Sequence, residues 1–309
     1  MATLLQVVLP VFIVIAFGYA AAWREYFSKA AVDALMTFAQ GFAIPMLLFR
    51  SMTQLDLAAS FDPALWGAFY TGALSGFAAG IIGARFLFKR EWEDCIAIGF
   101  IGLFSNSLLL GLPITERAYG ADALAANYAI IAIHSPFCYA VGITAMEIVK
   151  NRGGSLAKLP GKVANAMLHN ALIVGILAGI AVNVTNLPLP TVFTEAVDLM
   201  ARAALPTALF GLGGVLYRYK PEGDMLTVAY IVGVSLIVHP VVVYLLGGAF
   251  NLPTDSFRSA VVTAAMAPGV NAFLFASMYG HAQRVAASAV LIGTAATVVT
   301  ASIWLTILP

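Results

Sequence analysis

Phe104-Ser105-Asn106-Ser107-Leu108-Leu109-Leu110-Gly111-Leu112-Pro113 sits in the middle of an apolar run that extends over residues 93–118. About 20 apolar residues suffice for a helix to cross a bilayer, so the run is long enough, yet its centre is polar and full of breakers. Proline removes a backbone donor and crowds the preceding turn. Glycine beside it favours unwinding. A second stretch, Ala267-Pro268-Gly269-Val270-Asn271-Ala272-Phe273, repeats this mixture inside the run 256–280. Unpaired backbone is costly in lipid, so such a break must line a cavity or be buried in protein. One interrupted helix reads as a proline kink. Two of them, each with an asparagine, point to a pair of broken helices that build a binding site near the midplane.

The rest of the chain fits that setting. Of 309 residues, 61% are hydrophobic and 10% charged, too few charges to cover a soluble domain of this size. Ten apolar segments stand out, at 2–22, 32–52, 63–88, 93–118, 122–149, 163–184, 191–217, 224–249, 256–280 and 284–308. The expected fold is therefore an all-α membrane protein of ten transmembrane helices, with the lipid bilayer as its surroundings and no soluble domain. The net charge of +1 argues against a nucleic-acid partner. No Lys or Arg precedes the first segment, and the first positive residue is Arg24. A secretory signal has the opposite charge order, so residues 2–22 read as a retained helix. Cys95 and Cys138 lie in apolar segments without metal-ligand spacing; they read as small core residues, and no metal or cofactor is expected.

Lysine and arginine set the orientation. The odd-numbered connections hold Arg24, Lys29, Arg85, Lys89, Arg90, Lys150, Arg152, Lys158, Lys162, Arg218, Lys220 and Arg284. The even-numbered ones hold Arg50, Arg117 and Arg258. Odd connections are thus expected in the cytoplasm of a bacterial inner (plasma) membrane protein, with both termini on the outer, periplasmic side.

An internal repeat is also visible. Phe42-Ala43-Ile44-Pro45-Met46-Leu47-Leu48-Phe49 resembles Ala203-Ala204-Leu205-Pro206-Thr207-Ala208-Leu209-Phe210, at an offset of 161. Asp94 returns as Asp255 at the same offset, and Ala118-Tyr119-Gly120 returns as Met278-Tyr279-Gly280 at 160. The offset pairs residues 1–149, as a first repeat of segments one to five, with residues 163–309, across a cytoplasmic loop at 150–162. Five is odd, so the second half enters the membrane from the opposite side. Such a 5+5 inverted repeat is a transporter signature. Two inverted halves that exchange conformations convert an outward-open state into an inward-open one.

A broken helix offers free N–H groups and a positive dipole end. A carboxylate would be stabilised there. Asn106 and Asn271 add neutral amide donors, which suits a carrier that must also release its cargo. The candidate substrate-binding residues on the two breaks are Ser105, Asn106, Ser107, Gly111 and Pro113, with Pro268, Gly269 and Asn271.

Asn106, then Gly111-Leu112-Pro113-Ile114 and Ala118-Tyr119-Gly120, resembles the fourth-helix motif of the auxin efflux carrier family. Ala265–Gly280, with Pro268-Gly269 and Phe273-Leu274-Phe275-Ala276, is similar to the ninth-helix motif. The likeness spans the chain, in the short-looped form of bacterial members described as malonate-type transporters. It implies that helices four and nine cross at the midplane. It also implies a scaffold of helices 1, 2, 6 and 7, often a homodimer through that scaffold, and a moving domain of helices 3–5 and 8–10. The family's crossover asparagines carry over to Asn106 and Asn271. Plant members have a long loop after helix five; here it is only Lys150–Lys162, so loop-based regulation and plant hormone transport do not carry over.

Other polar residues fall within spans. Arg202 reads as a substrate contact or as an intrahelical partner of Asp198, and Gln40 occupies a nearby repeat-related position. His134 is a candidate proton relay or a packed residue with one hydrogen bond. His239 carries the same two readings. Asn127 lines a cavity or bonds between helices. The middles of the fourth, fifth, ninth and tenth segments contain no Asp or Glu, which argues against a carboxylate-based ion site. Moving one charge across 100 mV is worth about 2.3 kcal/mol, so an inside-negative membrane favours anion export unless cations are coupled. The sequence therefore points to a secondary carrier of small mono- or dicarboxylates. Its alternatives are an H+- or Na+-coupled symporter and a membrane sensor. No catalytic cluster for an enzyme is visible.

Overall fold

A computed structural model describes residues 2–57, 62–150, 161 and 171–309. The loop expected at 150–162, including Lys158, and the expected start of the sixth segment at 163 fall almost wholly outside them. The described residues are helical and contain no strand. The helices are α1 (Ala2–Trp23), α2 (Lys29–Phe38), α3 (Ile44–Gln54), α4 (Pro63–Phe86), α5 (Trp92–Leu103), α6 (Leu112–Tyr119) and α7 (Ala125–Lys150). They continue with α8 (Ala171–Thr185), α9 (Thr191–Tyr217), α10 (Met225–Gly233), α11 (His239–Ala249), α12 (Thr254–Ala264), α13 (Val270–Tyr279) and α14 (Gln283–Ile307). Seven uninterrupted paths among the described residues are long and apolar enough to cross a membrane. They are Gln6–Trp23, Lys29–Gln54, Pro63–Phe86, Ala125–Lys150, Thr191–Tyr217, Met225–Ala249 and Gln283–Ile307.

Three paths contain a five-residue wide (π) turn: Ala39–Ala43, Ser107–Gly111 and Val234–Val238. Each ends two residues before a proline, at Pro45, Pro113 and Pro240. A proline ring collides with the carbonyl four residues earlier and cannot hydrogen-bond to it. Here those carbonyls belong to Gly41, Leu109 and Leu236, inside the wide turns, where the looser winding makes room. Trp304 Nε1 donates to the Leu236 carbonyl at 3.3 Å. In α1 the same need is met differently. Pro10 leaves the Gln6 carbonyl without its helical partner, and the Arg117 guanidinium donates to Gln6 O at 3.0 Å and to Val7 O at 2.9 Å.

The chain divides into two compact units. One comprises residues 10–60 and 164–218. Here helices meet backbone to backbone. A Cβ on Gly18 would lie 1.8 Å from the Phe210 carbonyl oxygen, and one on Gly179 would lie 2.6 Å from that of Phe49. The Asn183 amide donates to the carbonyls of Met52, Thr53 and Leu55, closing the end of α3. Arg218 pairs with Asp33 at 2.6 Å.

The other unit comprises residues 1–9, 61–163 and 219–309. Its α4 and α5 lie against each other along glycines. A Cβ on Gly76 would meet the Gly102 carbonyl at 2.3 Å, and one on Gly80 would meet Gly99 Cα at 2.8 Å. Side chains at these positions would hold the helices apart. Phe100 and Phe275 stack at 4.0 Å between ring centroids, joining α5 to α13. Asp94 accepts from the Ala282 N–H at 3.1 Å and lies 3.2 Å from His281 Nδ1, tying the start of α5 to the start of α14. The repeated Tyr-Gly pairs are helix ends. Gly120 closes α6 at φ 87° and Gly280 closes α13 at φ 77°, a left-handed region that glycine enters without steric cost.

Candidate functional site

The fourth and ninth apolar segments are both interrupted. α5 stops at Leu103, and Phe104 is extended (φ −98°, ψ 93°). α12 stops at Ala264, and helix resumes at Val270 after an extended Gly269. The two gaps pair with each other. Asn106 N–H donates to the Ala267 carbonyl at 2.8 Å, and Gly269 N–H donates to the Phe104 carbonyl at 3.1 Å. Ser105 and Pro268 thus face each other in a one-pair antiparallel bridge. The bridge satisfies backbone groups that the helices abandon, which is what a dry environment demands. Proline is tolerated at position 268 because the bridge uses its neighbours' groups.

The fourth break lies at the start of the interrupted stretch 104–113. Gly111 and Pro113 do not flank the gap; Gly111 ends the wide turn and Pro113 is the second residue of α6. The wide turn absorbs the proline, so the chain unwinds instead at Phe104–Asn106. Ser105, Asn106 and Ser107 occupy this gap and its exit, and all three are buried. The Ser105 and Ser107 hydroxyls are 3.1 Å apart.

Asn106 has two roles in one side chain. Its Oδ1 accepts from Leu109 N–H at 3.3 Å, capping the returning helix. Its Nδ2 is buried and has no hydrogen-bond partner. A buried amide donor without an acceptor costs about 1–3 kcal/mol, which an arriving carboxylate oxygen would offset. On the other strand, Gly269 caps α13 without any side-chain acceptor. A Cβ at Gly269 would come within 3.3 Å of the Phe104 ring, so a side chain there would require the ring to give by a few tenths of an ångström. Asn271 follows in the first turn of α13. It is half-buried, and its Oδ1 accepts from the Tyr139 hydroxyl at 3.2 Å.

Aromatic rings wall the site. Phe104 lies 4.7 Å from His134 and 6.2 Å from Tyr139, and Tyr139 lies 5.5 Å from Phe100. His134 is buried on α7, with Nε2 3.2 Å from the Ser105 carbonyl in the gap. Beyond Pro113, the buried Asn127 donates to Thr115 Oγ1 at 3.3 Å and Thr263 Oγ1 at 2.8 Å. It joins α7 to α6 and α12, so it bonds between helices, while its Oδ1 has no partner.

Sequence reading passed over Tyr139, Thr115 and Thr263. Each is a common residue in an apolar helix, and only the neighbours that folding brings up give it a role. Gln40 and Arg202 belong to the other unit. Gln40 lies exposed in the wide turn Ala39–Ala43, and Arg202 is exposed on α9. The intrahelical pairing of Arg202 with Asp198 is not what forms: Asp198 is engaged by Arg50 of α3, which approaches it more closely than a residue one turn along the same helix.

A family profile described as "Membrane transport protein" matches residues 3–305. The chain is 28% identical to a Rhizobium meliloti protein named "Putative malonate transporter", over 97% of this chain and 94% of that one. It is 24% identical to the Escherichia coli K12 protein "Uncharacterized transporter YfdV", over 96% of this chain and 95% of that one. A mouse "Lysosomal cholesterol signaling protein" is 25% identical over 77% of this chain, which corresponds to 29% of the mouse protein.

Proposed function

The chain belongs to the membrane transport protein family, the auxin efflux carrier family its motifs resemble, and on that premise we propose that it is a secondary carrier of small carboxylates. It is a multi-pass membrane transporter rather than an enzyme. The observation that carries the substrate class is the paired break. Two helix starts and the unpartnered Asn106 amide converge where the chain has left its helical bonds, and all of these groups are neutral or partially positive. A dicarboxylate of malonate size fits this reading, in keeping with the name of the Rhizobium relative.

In this reading the seven continuous paths, the two interrupted ones and the helix Ala171–Thr185 make ten crossings. They form two inverted repeats, with both termini outside the plasma membrane. The offset of 161 recurs in the packing, which supports the repeat. Gly18 against Phe210 and Gly179 against Phe49 are the same contact made twice, with both partners shifted by that offset. The division of the chain into two units supports an elevator-like mechanism. Residues 10–60 and 164–218 act as a scaffold through which a second copy docks, and the unit that contains the breaks carries the anion.

Proteoliposomes preloaded with unlabelled malonate test the reading. Saturable counterflow of labelled malonate, competed by other short dicarboxylates, is the expected result. Non-saturable flux would identify a channel, and no flux of any short carboxylate would refute the assignment.

A further inference from the structure

The paired break holds no acidic or basic side chain, so a bound carboxylate brings an uncompensated negative charge into the interior. Charges buried without compensation are strongly unfavourable. One buried histidine stands beside the site, and a second lies across the Phe69 ring from it. His134 on α7 faces the Ser105 carbonyl through Nε2. His239 opens α11, is fully buried, and makes no hydrogen bond through either ring nitrogen. The Phe69 ring lies against both imidazoles, at 5.5 Å from His134 and 5.3 Å from His239.

We propose that His134 and His239, packed on Phe69, form a proton-binding site whose occupancy is tied to that of the anion site. The inference rests on the carrier reading and adds its coupling ion. His239 accepts a proton at a ring nitrogen without breaking an existing bond. His134, with Nε2–H donating to Ser105, accepts one at Nδ1. The positive imidazolium and the carboxylate at the break each lower the cost of burying the other. Binding of one therefore favours binding of the other, by the same factor in both directions. The carrier then moves anion and proton together, and the inside-negative potential no longer opposes entry of the anion in full.

The surroundings allow this. From α7, Cys138 lies 3.7 Å from His134 Nδ1. From α4, Tyr70 approaches His134 at 6.1 Å, with its hydroxyl donating to the Ile130 carbonyl. The segment after α5 contributes the Phe104 ring. The charged residues of the helices packed around the pair stand toward helix ends: Arg85 on α4, Glu93 and Asp94 on α5, Glu147 and Lys150 on α7, Asp255 and Arg258 on α12. The bound anion is thus the natural counter-charge.

The test compares wild type, His239→Gln and His239→Asn in proteoliposomes with labelled malonate and a clamped potential. Counterflow is measured at equal pH, and accumulation under an outside-acid gradient. One pH unit is worth about tenfold in accumulation per coupled proton. The wild type is expected to show that gain. Both variants are expected to bind malonate more weakly, to retain counterflow at saturating malonate with a higher half-saturating concentration, and to lose about tenfold in gradient-driven accumulation. A wild type that exchanges malonate but ignores the gradient overturns the inference alone. So does a variant with the full gradient response, or loss of counterflow and coupling together in both variants. A wild type without counterflow overturns the carrier reading along with it.

Discussion

Asn106 donates its backbone N–H to the carbonyl of Ala267 at 2.8 Å, and the two residues stand 161 positions apart. That separation is the offset of the sequence repeat. In the inverted-repeat reading proposed above, the two residues are each other's counterparts. The bond holds together the two gaps that make this region unlike an ordinary helix bundle.

The Asn106 side chain separates structure from transport. Asn106→Ala removes both the cap on Leu109 and the free amide; loss of a cap costs about 0.5–2 kcal/mol. Asn106→Asp keeps the cap but faces the anion with a carboxylate. Both variants should insert and fold, with malonate counterflow reduced about tenfold or more. Asp should be the more damaging to transport and the milder in thermal unfolding. Counterflow at wild-type rates in Asn106→Asp would remove this residue from the site.

The backbone contacts within the unit of residues 10–60 and 164–218 should not tolerate side chains. Gly18→Leu and Gly179→Leu each drive carbon into a carbonyl oxygen. Overpacking of this kind costs about 1–3 kcal/mol or more, seen as a lower unfolding temperature in detergent. A Cβ on Gly41 would meet nothing within 4 Å, so Gly41→Ala should leave that temperature unchanged or slightly raised.

Arg117 and Pro10 should be coupled. Arg117→Gln removes the donor from the exposed Gln6 carbonyl, at no more than about 0.5–1.5 kcal/mol. In a Pro10→Ala background the helix itself supplies an N–H to Gln6, and the same change should cost measurably less. A double-mutant cycle by thermal unfolding gives the difference; additive effects would mean that the arginine does not serve the proline.

Asp224 caps α10 from outside the span. The Thr227 hydroxyl, then the Leu226 and Thr227 N–H groups and the Arg90 guanidinium, hold its carboxyl below the usual range against a smaller opposing effect of desolvation. A carboxyl depressed on folding stabilises the protein above its unfolded value, about 3.9, and loses that contribution as pH falls through the folded value. The stability gap between wild type and Asp224→Asn should therefore be constant near neutrality and close below about pH 4. A gap that widens in acid would contradict the assignment.

Orientation is open to direct labelling. A single cysteine in place of Lys158, in a background without Cys95 and Cys138, should react with an impermeant maleimide only after the cytoplasmic face is exposed. Labelling of intact cells would invert the topology.

The apolar runs and the positions of the glycines and prolines were enough to foresee a helical membrane protein with interruptions at the fourth and ninth runs. They were not enough to say where the fourth chain opens. Gly111 and Pro113 are the stronger breakers on paper, yet a wide turn accommodates Pro113 and the opening shifts to Phe104, whose partner strand no local pattern reveals. Asn106 was identifiable because an amide in mid-span demands a reason. Tyr139 was not, because a tyrosine in an apolar helix is ordinary until Asn271 arrives beside it. The second glycine of the Gly18–Gly179 pair lay in view at the repeat offset, and only contact geometry shows that both serve one purpose.

The glycine seam between α4 and α5 has a mechanical consequence. With main chains this close at Gly76–Gly102 and Gly80–Gly99, little side-chain material separates the two rods at these crossings. Close packing of this kind resists compression, so a displacement of Phe104, where α5 ends, is expected to carry α4 with it as one stiff plank.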